Sequence, residues 1–192
     1  MATMPLVETL SVLHECRRDD EVVLTVMGMA REWMALGELH RLDWVYVPSS
    51  MGQAPSLGLG MALARPQNNV IVCNGDGCML MNLGSLVTIT QQAPQNFTLI
   101  LFDNGVYEIT GAQPTPAGER VDYCALARAA GFRHVHAFDR LEDWQANARE
   151  LLDEMGPTLI YLEVAPVPEA VGPRSPSKAS DRARAFAEAL QQ

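Results

Sequence analysis

Basic residues are scarce in this chain of 192 residues. Lys and Arg together number 14 against 23 Asp and Glu, which leaves a net charge of −9 at pH 7. Proteins that bind nucleic acids or anionic membranes need clustered cations at the contact surface. The charge balance therefore predicts no nucleic-acid partner and no membrane partner. It still allows a phosphate-bearing ligand, since backbone N–H groups and a metal ion can hold one locally.

Long apolar runs and paired cysteines are also missing. No uninterrupted apolar stretch approaches the roughly 18 residues that span a bilayer, and residues 1–18 lack the features of a secretory signal. The cysteines form no C-x-x-C pair and have no zinc-ligand spacing. We expect reduced, mostly buried thiols in a cytoplasmic protein. The cysteines are Cys16, Cys73, Cys78 and Cys124.

What the sequence does contain is a regular alternation of short apolar runs and helical patterns. Hydrophobic residues make up 48% of the chain and charged residues 19%, which allows a substantial core. This alternation predicts an α/β fold: a doubly wound, mainly parallel sheet of about six strands, with helices on both faces. Strands are expected at 21–26, 44–47, 69–73, 97–102, 132–138 and 158–164, and helices at 5–16, 31–39, 51–64, 78–92, 122–130 and 141–155.

The composition changes near the C-terminus. Four prolines lie between residues 166 and 179, and a charged helical pattern follows them. We predict a single domain over residues 1–165, a proline-rich linker over 166–179 and a terminal helix over 180–192. Ser180 is the expected N-cap of that helix.

The most informative segment is N-G-D-G-C at residues 74–78, between a predicted strand and a predicted helix. Glycines on both sides of a carboxylate let the backbone approach a ligand closely. The helix that follows offers unpaired N–H groups to an anion. Asp76 is then suitably placed to bind a cation that the anion shares. Turns of this composition are also common without a ligand, so the assignment depends on a second signal.

The second signal is D-N-G at residues 103–105, in which Asn104 follows Asp76 by 28 residues. The intervening chain fits one helix, one short loop and one strand, which is the crossover between neighbouring parallel strands. Asp76 and Asn104 should therefore lie side by side at the carboxyl ends of two strands, where open α/β sheets bind ligands. A carboxylate, an amide oxygen and a nearby carbonyl suit Mg2+, which completes its octahedron with phosphate oxygens and water.

In this order, the motifs resemble the cofactor motif of thiamine-diphosphate enzymes, in which G-D-G is followed by N-N or D-N. The sequence is most similar to sulfopyruvate and phosphonopyruvate decarboxylases. The similar segments are S-M-G at 50–52, L-M-N-L-G at 80–84 after the G-D-G turn, D-N-G at 103–105 and G-A-Q-P-T at 111–115. The resemblance covers about residues 21–164 and implies the pyrophosphate-binding domain of such an enzyme.

The resemblance also implies roles for individual residues. Asp76 and Asn104 would bind Mg2+ through their side chains, and Val106 through its carbonyl oxygen. Met51 matches the apolar residue that wedges beneath the cofactor and keeps it bent. Thr110 is the candidate for a side chain near the reaction. The remaining cofactor-binding candidates are Ser50, Gly75, Gly77, Cys78 and Tyr107.

A partner subunit is a further implication of the resemblance. In this family, the glutamate that activates the pyrimidine ring lies on another domain type, and nothing in this chain matches its setting. Sulfopyruvate decarboxylase occurs with its two cofactor domains on separate subunits. The resemblance therefore implies one subunit of a homodimer or heterotetramer that decarboxylates a 2-oxo acid, a 3-substituted pyruvate. It also implies negligible turnover without the pyrimidine-binding subunit.

Three positions depart from the family pattern. Cys78 replaces the usual Ser or Ala, Ala30 replaces a Ser, and Glu108 stands where relatives tend to have a small or neutral residue. An acidic group at that place disfavours an anionic substrate. Two alternatives therefore stay open: a carboligase subunit like those of acetolactate synthases, and a non-catalytic cofactor-binding or regulatory subunit. The G-A-Q-P-T stretch favours a decarboxylase over the carboligase.

The histidines show no catalytic pairing in the sequence. His134 and His136 alternate along a predicted strand, so their side chains share one face. We expect structural or exposed roles for them and for His14 and His40.

Overall fold

A computed structural model of the protein describes residues 3–46, 51–116, 121–167 and 177–191. The strands are β1 (Met4–Pro5), β2 (Val22–Val26), β3 (Asp43–Tyr46), β4 (Val70–Gly75), β5 (Phe97–Asp103), β6 (Val106–Tyr107), β7 (Gln113–Pro114), β8 (His134–Phe138) and β9 (Thr158–Ala165). The helices are α1 (Leu6–Cys16), α2 (Met27–Leu36), α3 (Ala54–Ala64), α4 (Asp76–Leu80), α5 (Ser85–Gln92), α6 (Tyr123–Ala130), α7 (Leu141–Leu152) and α8 (Ala179–Ala189), with one 3-10 turn at Glu108–Thr110.

Within the described residues, seven strands form one parallel sheet. Its order is β1–β9–β5–β4–β2–β3. β8 also pairs with β9, on the edge of β9 opposite to the one that pairs with β5. β6 and β7 form a separate antiparallel hairpin. Since β3 lies on one side of β2 and β4 on the other, the winding direction reverses between β2 and β4. The predicted doubly wound parallel sheet is confirmed.

The central strands are buried along almost their whole length. Every residue of β2 is buried, as are all residues of β4 except Gly75 and all residues of β5 except Asp103. Strands that are covered by helices on both faces are apolar throughout rather than alternating, which explains their continuous runs of Val, Ile and Leu. Gly75 and Asp103, which are only partly buried, stand at the carboxyl ends of the adjacent strands β4 and β5.

Four helix predictions were wrong at their boundaries. The helices predicted at 51–64 and 141–155 span Ala54–Ala64 and Leu141–Leu152, and the other two differ more. α2 begins at Met27, directly after β2, instead of at residue 31, because Met27 takes a left-handed backbone conformation (φ 55°) that turns the chain sharply. The predicted helix 78–92 consists of two helices, α4 and α5. The turn between them is held by the Ser85 hydroxyl, which donates to the Asn82 carbonyl at 2.7 Å.

The C-terminal segment packs against the domain. α8 begins at Ala179 after the N-cap Lys178, so the predicted cap at Ser180 was wrong. Phe186 is buried and its ring lies 5.4 Å from that of Trp44 on β3. Most of the predicted linker, 166–179, lies outside the described residues. Within the described ranges, no helix is both long and apolar enough to cross a membrane.

Candidate functional site

A cavity opens at the carboxyl ends of β2, β4 and β5. Its volume is about 240 Å3. The site includes the point where the winding direction reverses, which is where open α/β sheets form a ligand-binding crevice. The cavity is lined by Met27, Gly28, Met29, Met51, Gly75, Asp76, Gly77, Cys78, Met81, Phe102, Asn104, Val106, Tyr107, Glu108, Ile109 and Thr110.

Every site residue predicted from the sequence that lies within the described ranges lines this one cavity. These residues come from the ends of β4 and β5, from the β6 strand, from the 3-10 turn and from the segment before α3. Ser50, the remaining candidate, lies outside the described residues. The structure therefore brings together residues that are widely separated in sequence, and their roles stay predictions.

Asp76 is the most unusual group in the cavity. It is the first residue of α4, its side chain is buried, and its Oδ2 atom has no hydrogen-bond partner among the described residues. Burial raises the pKa of its carboxyl, and the nearby Asp103 carboxylate raises that pKa further, whereas the N–H of Gly77 acts in the opposite direction. A divalent cation that binds between two neighbouring carboxylates removes their mutual repulsion.

Asp103 is the functional candidate that sequence reasoning missed. It ends β5, directly next in register to the pair Gly75 and Phe102, so it stands beside Asp76. Its Oδ1 accepts the N–H of Gly105 at 3.0 Å and its Oδ2 accepts the Tyr161 hydroxyl at 2.9 Å. Asp103 belongs to the D-N-G motif that indicated the site, but only the strand register reveals that it lies beside Asp76.

Asn104 and Val106 occupy a tight loop after β5. The Asn104 Oδ1 accepts the N–H of Val106 at 3.0 Å, and the Gly105 carbonyl accepts the N–H of Thr115 at 2.9 Å. Gly105 has a φ of +71°, a conformation that favours glycine. These contacts fix the loop in which Asn104 and Val106 line the same cavity as Asp76. Amide and carbonyl oxygens are hard ligands of the kind that Mg2+ prefers.

Tyrosine side chains form the back of the site. Tyr123 and Tyr161 are stacked with ring centroids 6.3 Å apart. Burial raises the pKa of each hydroxyl, and the Asp103 carboxylate adds to the effect in both cases. Both phenols thus stay protonated beside the carboxylate pair: Tyr161 donates to Asp103, whereas the Tyr123 hydroxyl has no hydrogen-bond partner among the described residues. Their position was not predictable from sequence, because Tyr161 meets Asp103 only through the pairing of β9 with β5.

Gly77 allows Tyr107 to close over the turn. A Cβ atom at Gly77 would lie 2.6 Å from two ring carbons of Tyr107, which is too close for any side chain. A Cβ at Gly75 would meet the Met29 side chain at an ordinary 3.5 Å. The two glycines of the G-D-G turn therefore differ. Contact with the Tyr107 ring excludes any side chain at Gly77, whereas the backbone at Gly75 lines the cavity.

Cys78 ties α4 to the segment that carries Met51. Its sulfur accepts the N–H of Gly52 at 3.1 Å, and the Asn82 amide donates to the Gly52 carbonyl at 3.1 Å. Burial raises the pKa of the Cys78 thiol. Met51 itself is 47% exposed and reaches the cavity from this anchored turn. Cys78 thus has a structural role in addition to its predicted contact with the cofactor.

Glu108 lies on the opposite wall, beside the start of α2. Its Oε1 accepts the N–H of Val167, and its Oε2 is so near Gly28 that a Cβ there would be 2.9 Å away. Burial raises the pKa of Glu108, the Val167 N–H opposes this, and Glu32 raises it again. The departure noted in the sequence is thus a partly buried acid on the cavity wall.

Comparison with known proteins agrees with this geometry. Residues 25–162 match the family described as thiamine pyrophosphate enzyme, C-terminal TPP binding domain. The chain belongs to this family. Its cofactor is thiamine diphosphate, another name for thiamine pyrophosphate, and the resemblance inferred from the motifs is confirmed.

Two relatives illustrate the similarity. Phosphonopyruvate decarboxylase of Streptomyces viridochromogenes is 41% identical over 155 residues, which cover 81% of this chain and 38% of that protein. The sulfopyruvate decarboxylase subunit beta of Methanothermobacter thermautotrophicus is 38% identical over 149 residues, which cover 77% of this chain and 76% of that subunit. The chain thus spans about two fifths of the first enzyme but most of the second.

The fold is shared with larger enzymes. A thiamine diphosphate-dependent 4-hydroxybenzoylformate decarboxylase of Rhodococcus jostii superposes with a TM-score of 0.72 at 19% identity, over 88% of this chain and 34% of that one. At this identity the likeness concerns the fold alone.

Proposed function

We propose that this chain is the thiamine-diphosphate- and Mg2+-binding subunit of a 2-oxo acid decarboxylase that acts on a 3-substituted pyruvate. Residues 1–165 would form the cofactor-binding domain, and a separate subunit would supply the pyrimidine pocket and the activating glutamate. The observation that carries the proposal is the buried Asp76, whose unpartnered oxygen lies in one cavity with Asn104 and Val106. The free state of all four cysteines supports a cytoplasmic location.

The residues present fit a magnesium-diphosphate group. Asp76 and Asn104 would bind the ion through side-chain oxygens, and Val106 through its carbonyl. The turn at Gly75 and Gly77 would present backbone N–H groups to the diphosphate, because both glycines line the cavity and neither carries a side chain. The metal would remove the repulsion between Asp76 and Asp103 that raises the pKa of Asp76.

The apolar residues of the cavity would orient the cofactor and exclude water. When bound, thiamine diphosphate supplies a nucleophilic carbon and an electron sink for decarboxylation. Met51 would support the cofactor through apolar contact, while Met27 and Ile109 would shield its reacting part from solvent. Thr110 also lines the cavity, and its hydroxyl would lie near the reacting part of the cofactor. Its Oγ1 donates to the Gln113 Oε1 at 3.0 Å, which holds the hydroxyl at the rim.

The names of two relatives support a partner subunit. The archaeal relatives of similar length are each called a beta subunit. We infer that a pyrimidine-binding subunit covers the cavity and completes a homodimer-based or heterotetrameric assembly. Met51, Met81 and Ile109 are each about half exposed at the cavity rim, so a covering subunit would bury them.

Glu108 bears on the choice of substrate. Among the described residues that line the cavity none is basic, and Glu108 is acidic. A sulfonate or phosphonate on the substrate would therefore need a cation from the partner subunit. Without such a cation, the apolar wall favours a 2-oxo acid that carries no charge beyond its carboxylate, such as the pyruvate used by a carboligase of the acetolactate synthase type. A non-catalytic subunit that binds only the cofactor is the remaining alternative.

Calorimetric titration of the purified chain with thiamine diphosphate tests the cradle. We expect binding that requires Mg2+ and that is lost in Asp76→Ala, with Glu163→Ala as the matched control because its carboxylate lies outside the cavity lining. The titration is repeated with the candidate partner subunit, since the isolated site is open on one side. Failure of the wild-type complex to bind the cofactor with Mg2+ would overturn the proposal.

Substrate screening separates the three activities. The reconstituted complex is incubated with sulfopyruvate, phosphonopyruvate and pyruvate, and carbon dioxide and acetolactate are measured. Carbon dioxide release from an anionic 3-substituted pyruvate is the expected result. Acetolactate from pyruvate would indicate the carboligase, and cofactor binding without turnover of any 2-oxo acid would indicate the non-catalytic subunit.

A further inference from the structure

A cluster of two histidines and a glutamate lies outside the cavity. The His136 Nε2 atom is 2.8 Å from the Glu154 Oε2 atom, and the His134 Nδ1 atom is 3.8 Å from the same oxygen. One ligand atom of each residue lies within 4.8 Å of the others. The two imidazole rings are almost parallel, at an interplanar angle of 6°. All three side chains are partly buried, so they are held in place yet accessible to an ion.

The local fold explains why these groups meet. His134 and His136 occupy alternate positions of β8, so both point to one face of this strand. β8 pairs only with β9 among the described strands, which leaves its outer edge unpaired. Glu154 follows α7 in the short connection that returns the chain to β9. The cluster thus ties the edge strand to the loop that precedes its neighbour.

The cluster and the cofactor cavity lie at different places on the sheet. His134 is the first residue of β8 and pairs with Thr158 at the start of β9. The cluster therefore lies at the amino end of these strands, whereas the cavity lies at the carboxyl ends of β2, β4 and β5. None of the three residues lines the cavity.

We propose that His134, His136 and Glu154 form a binding site for a divalent transition-metal ion of the Zn2+ class. Imidazole nitrogens and one carboxylate suit Zn2+, Fe2+ or Ni2+ rather than Mg2+. Metal–ligand bonds of about 2.0–2.2 Å place two ligand atoms roughly 2.9–3.4 Å apart. The observed 2.8 Å and 3.8 Å bracket this spacing, so small side-chain rotations admit the ion. Three protein ligands leave at least one position for water or an exogenous ligand.

The competing explanation is an ion pair without a metal. His136 and Glu154 are within hydrogen-bond distance, and this contact alone would hold them together. That hydrogen bond does not involve His134, whose Nδ1 atom lies 3.8 Å from the same oxygen, beyond hydrogen-bond distance. Three ligand atoms thus lie together, which the contact between His136 and Glu154 alone does not require.

Calorimetric titration of the full chain with Zn2+ tests the site. Excess Mg2+ and thiamine diphosphate are present, so that the cavity does not compete for the ion. The variants are His134→Gln, His136→Gln and Glu154→Gln, and His14→Gln is the matched control because His14 packs against Trp33 outside the cluster. Circular dichroism verifies that each variant is folded.

We expect one Zn2+ per chain and a loss of affinity of at least tenfold in each cluster variant. The control variant should bind as the wild type does. At a hundredfold excess over the wild-type Kd, Zn2+ should raise the Tm of the wild type by about 5–10 °C and that of each cluster variant by no more than about half as much. Co2+ should give a visible absorption band only when all three ligands are present.

Two results would overturn this site. Absence of stoichiometric Zn2+ binding by the wild type at millimolar ion concentration would leave the cluster as an ion pair. Binding that persists unchanged in all three cluster variants would assign the ion to other side chains. Since three separate variants are used, misfolding of one of them does not remove the test.

Discussion

Buried carboxylates at the two ends of the sheet differ in their hydrogen-bond partners. At the amino end, Glu21 is 1% exposed and both of its oxygens are occupied. Arg149 binds it with two nitrogens at 2.8 Å and 3.1 Å, and the Arg18 backbone N–H adds a third contact at 2.7 Å. Asp43, at the start of β3, accepts from Arg17, from the Trp33 indole and from the His40 N–H.

At the carboxyl end, Asp76 is 2% exposed and keeps one oxygen unpartnered among the described groups. Its nearest charged neighbour is another carboxylate, Asp103, instead of an arginine. A buried charge without a partner is costly, so it persists only where something else compensates. Glu21 and Asp76 are thus equally buried, and the unpartnered oxygen is what distinguishes Asp76.

Removal of the arginine at the amino end should have the largest effect. Arg149→Met leaves Glu21 buried with a single N–H donor, and we expect a loss of about 3–5 kcal/mol in the free energy of unfolding. Urea denaturation measures it. The control is Arg140→Met, because Arg140 is exposed and its ion pairs are long, at 3.8 Å and 3.9 Å; we expect less than about 0.5 kcal/mol there. A loss below about 1 kcal/mol for Arg149→Met would contradict the role of Glu21 as a paired structural acid.

The glycines of the G-D-G turn should respond unequally to alanine. Gly77→Ala forces a methyl group into the Tyr107 ring, and we expect a loss of about 1–3 kcal/mol together with weaker cofactor binding. Gly75→Ala has room at 3.5 Å, so its stability should change little. The double variant Gly77→Ala/Tyr107→Ala should recover part of the loss. Equal effects at the two glycines in urea denaturation would disprove the steric account.

Neutralisation of the unpartnered acid should stabilise the metal-free chain. Asp76→Asn keeps the volume and removes the buried charge, so we expect a gain of about 1–2 kcal/mol near neutral pH with Mg2+ binding lost. Because the pKa of Asp76 is raised on folding, the folded wild type takes up its proton first as the pH falls. The difference between the two proteins should therefore shrink at acid pH. Unfolding midpoints over a pH series measure it, and a gap that widens on acidification would contradict the raised pKa.

The smallest effect is expected at Cys78. Cys78→Ser retains an acceptor for the Gly52 N–H, whereas Cys78→Ala leaves that buried N–H unpaired at a cost of about 1 kcal/mol. Thermal unfolding of the two variants, with the cofactor titrated into each, separates the structural contact from the cofactor contact. If both variants are as stable as the wild type, the thiol does not anchor the turn.

Local patterns in the sequence predicted residues that line one cavity, because these residues follow strands in short, specific motifs. The turn at residues 74–78 and the loop at 103–105 each sit where a strand ends, and the crossover between them allows one arrangement. The boundaries were less predictable. Nothing in the apolar pattern indicated that Met27 would turn the chain in a left-handed conformation, or that residues 81–84 would interrupt a helix.

The interactions between distant segments were beyond sequence reasoning. Tyr161 reaches Asp103 across 58 residues, and Arg149 reaches Glu21 across 128. His134 and His136 were expected to have structural or exposed roles, and their approach to Glu154 came only with the packing of α7 and β9. Each contact depends on strand order and register, which a single sequence does not encode in any one segment.

The sequence by itself determined the fold class, the cofactor family and the residues of the G-D-G turn. The fold class depends on periodicity, and the other two depend on short motifs. Only the tertiary structure decided which buried acids are paired. Glu21 and Asp76 are both acidic residues next to strands, and their surroundings differ because arginines from other segments reach one end of the sheet and a second carboxylate reaches the other.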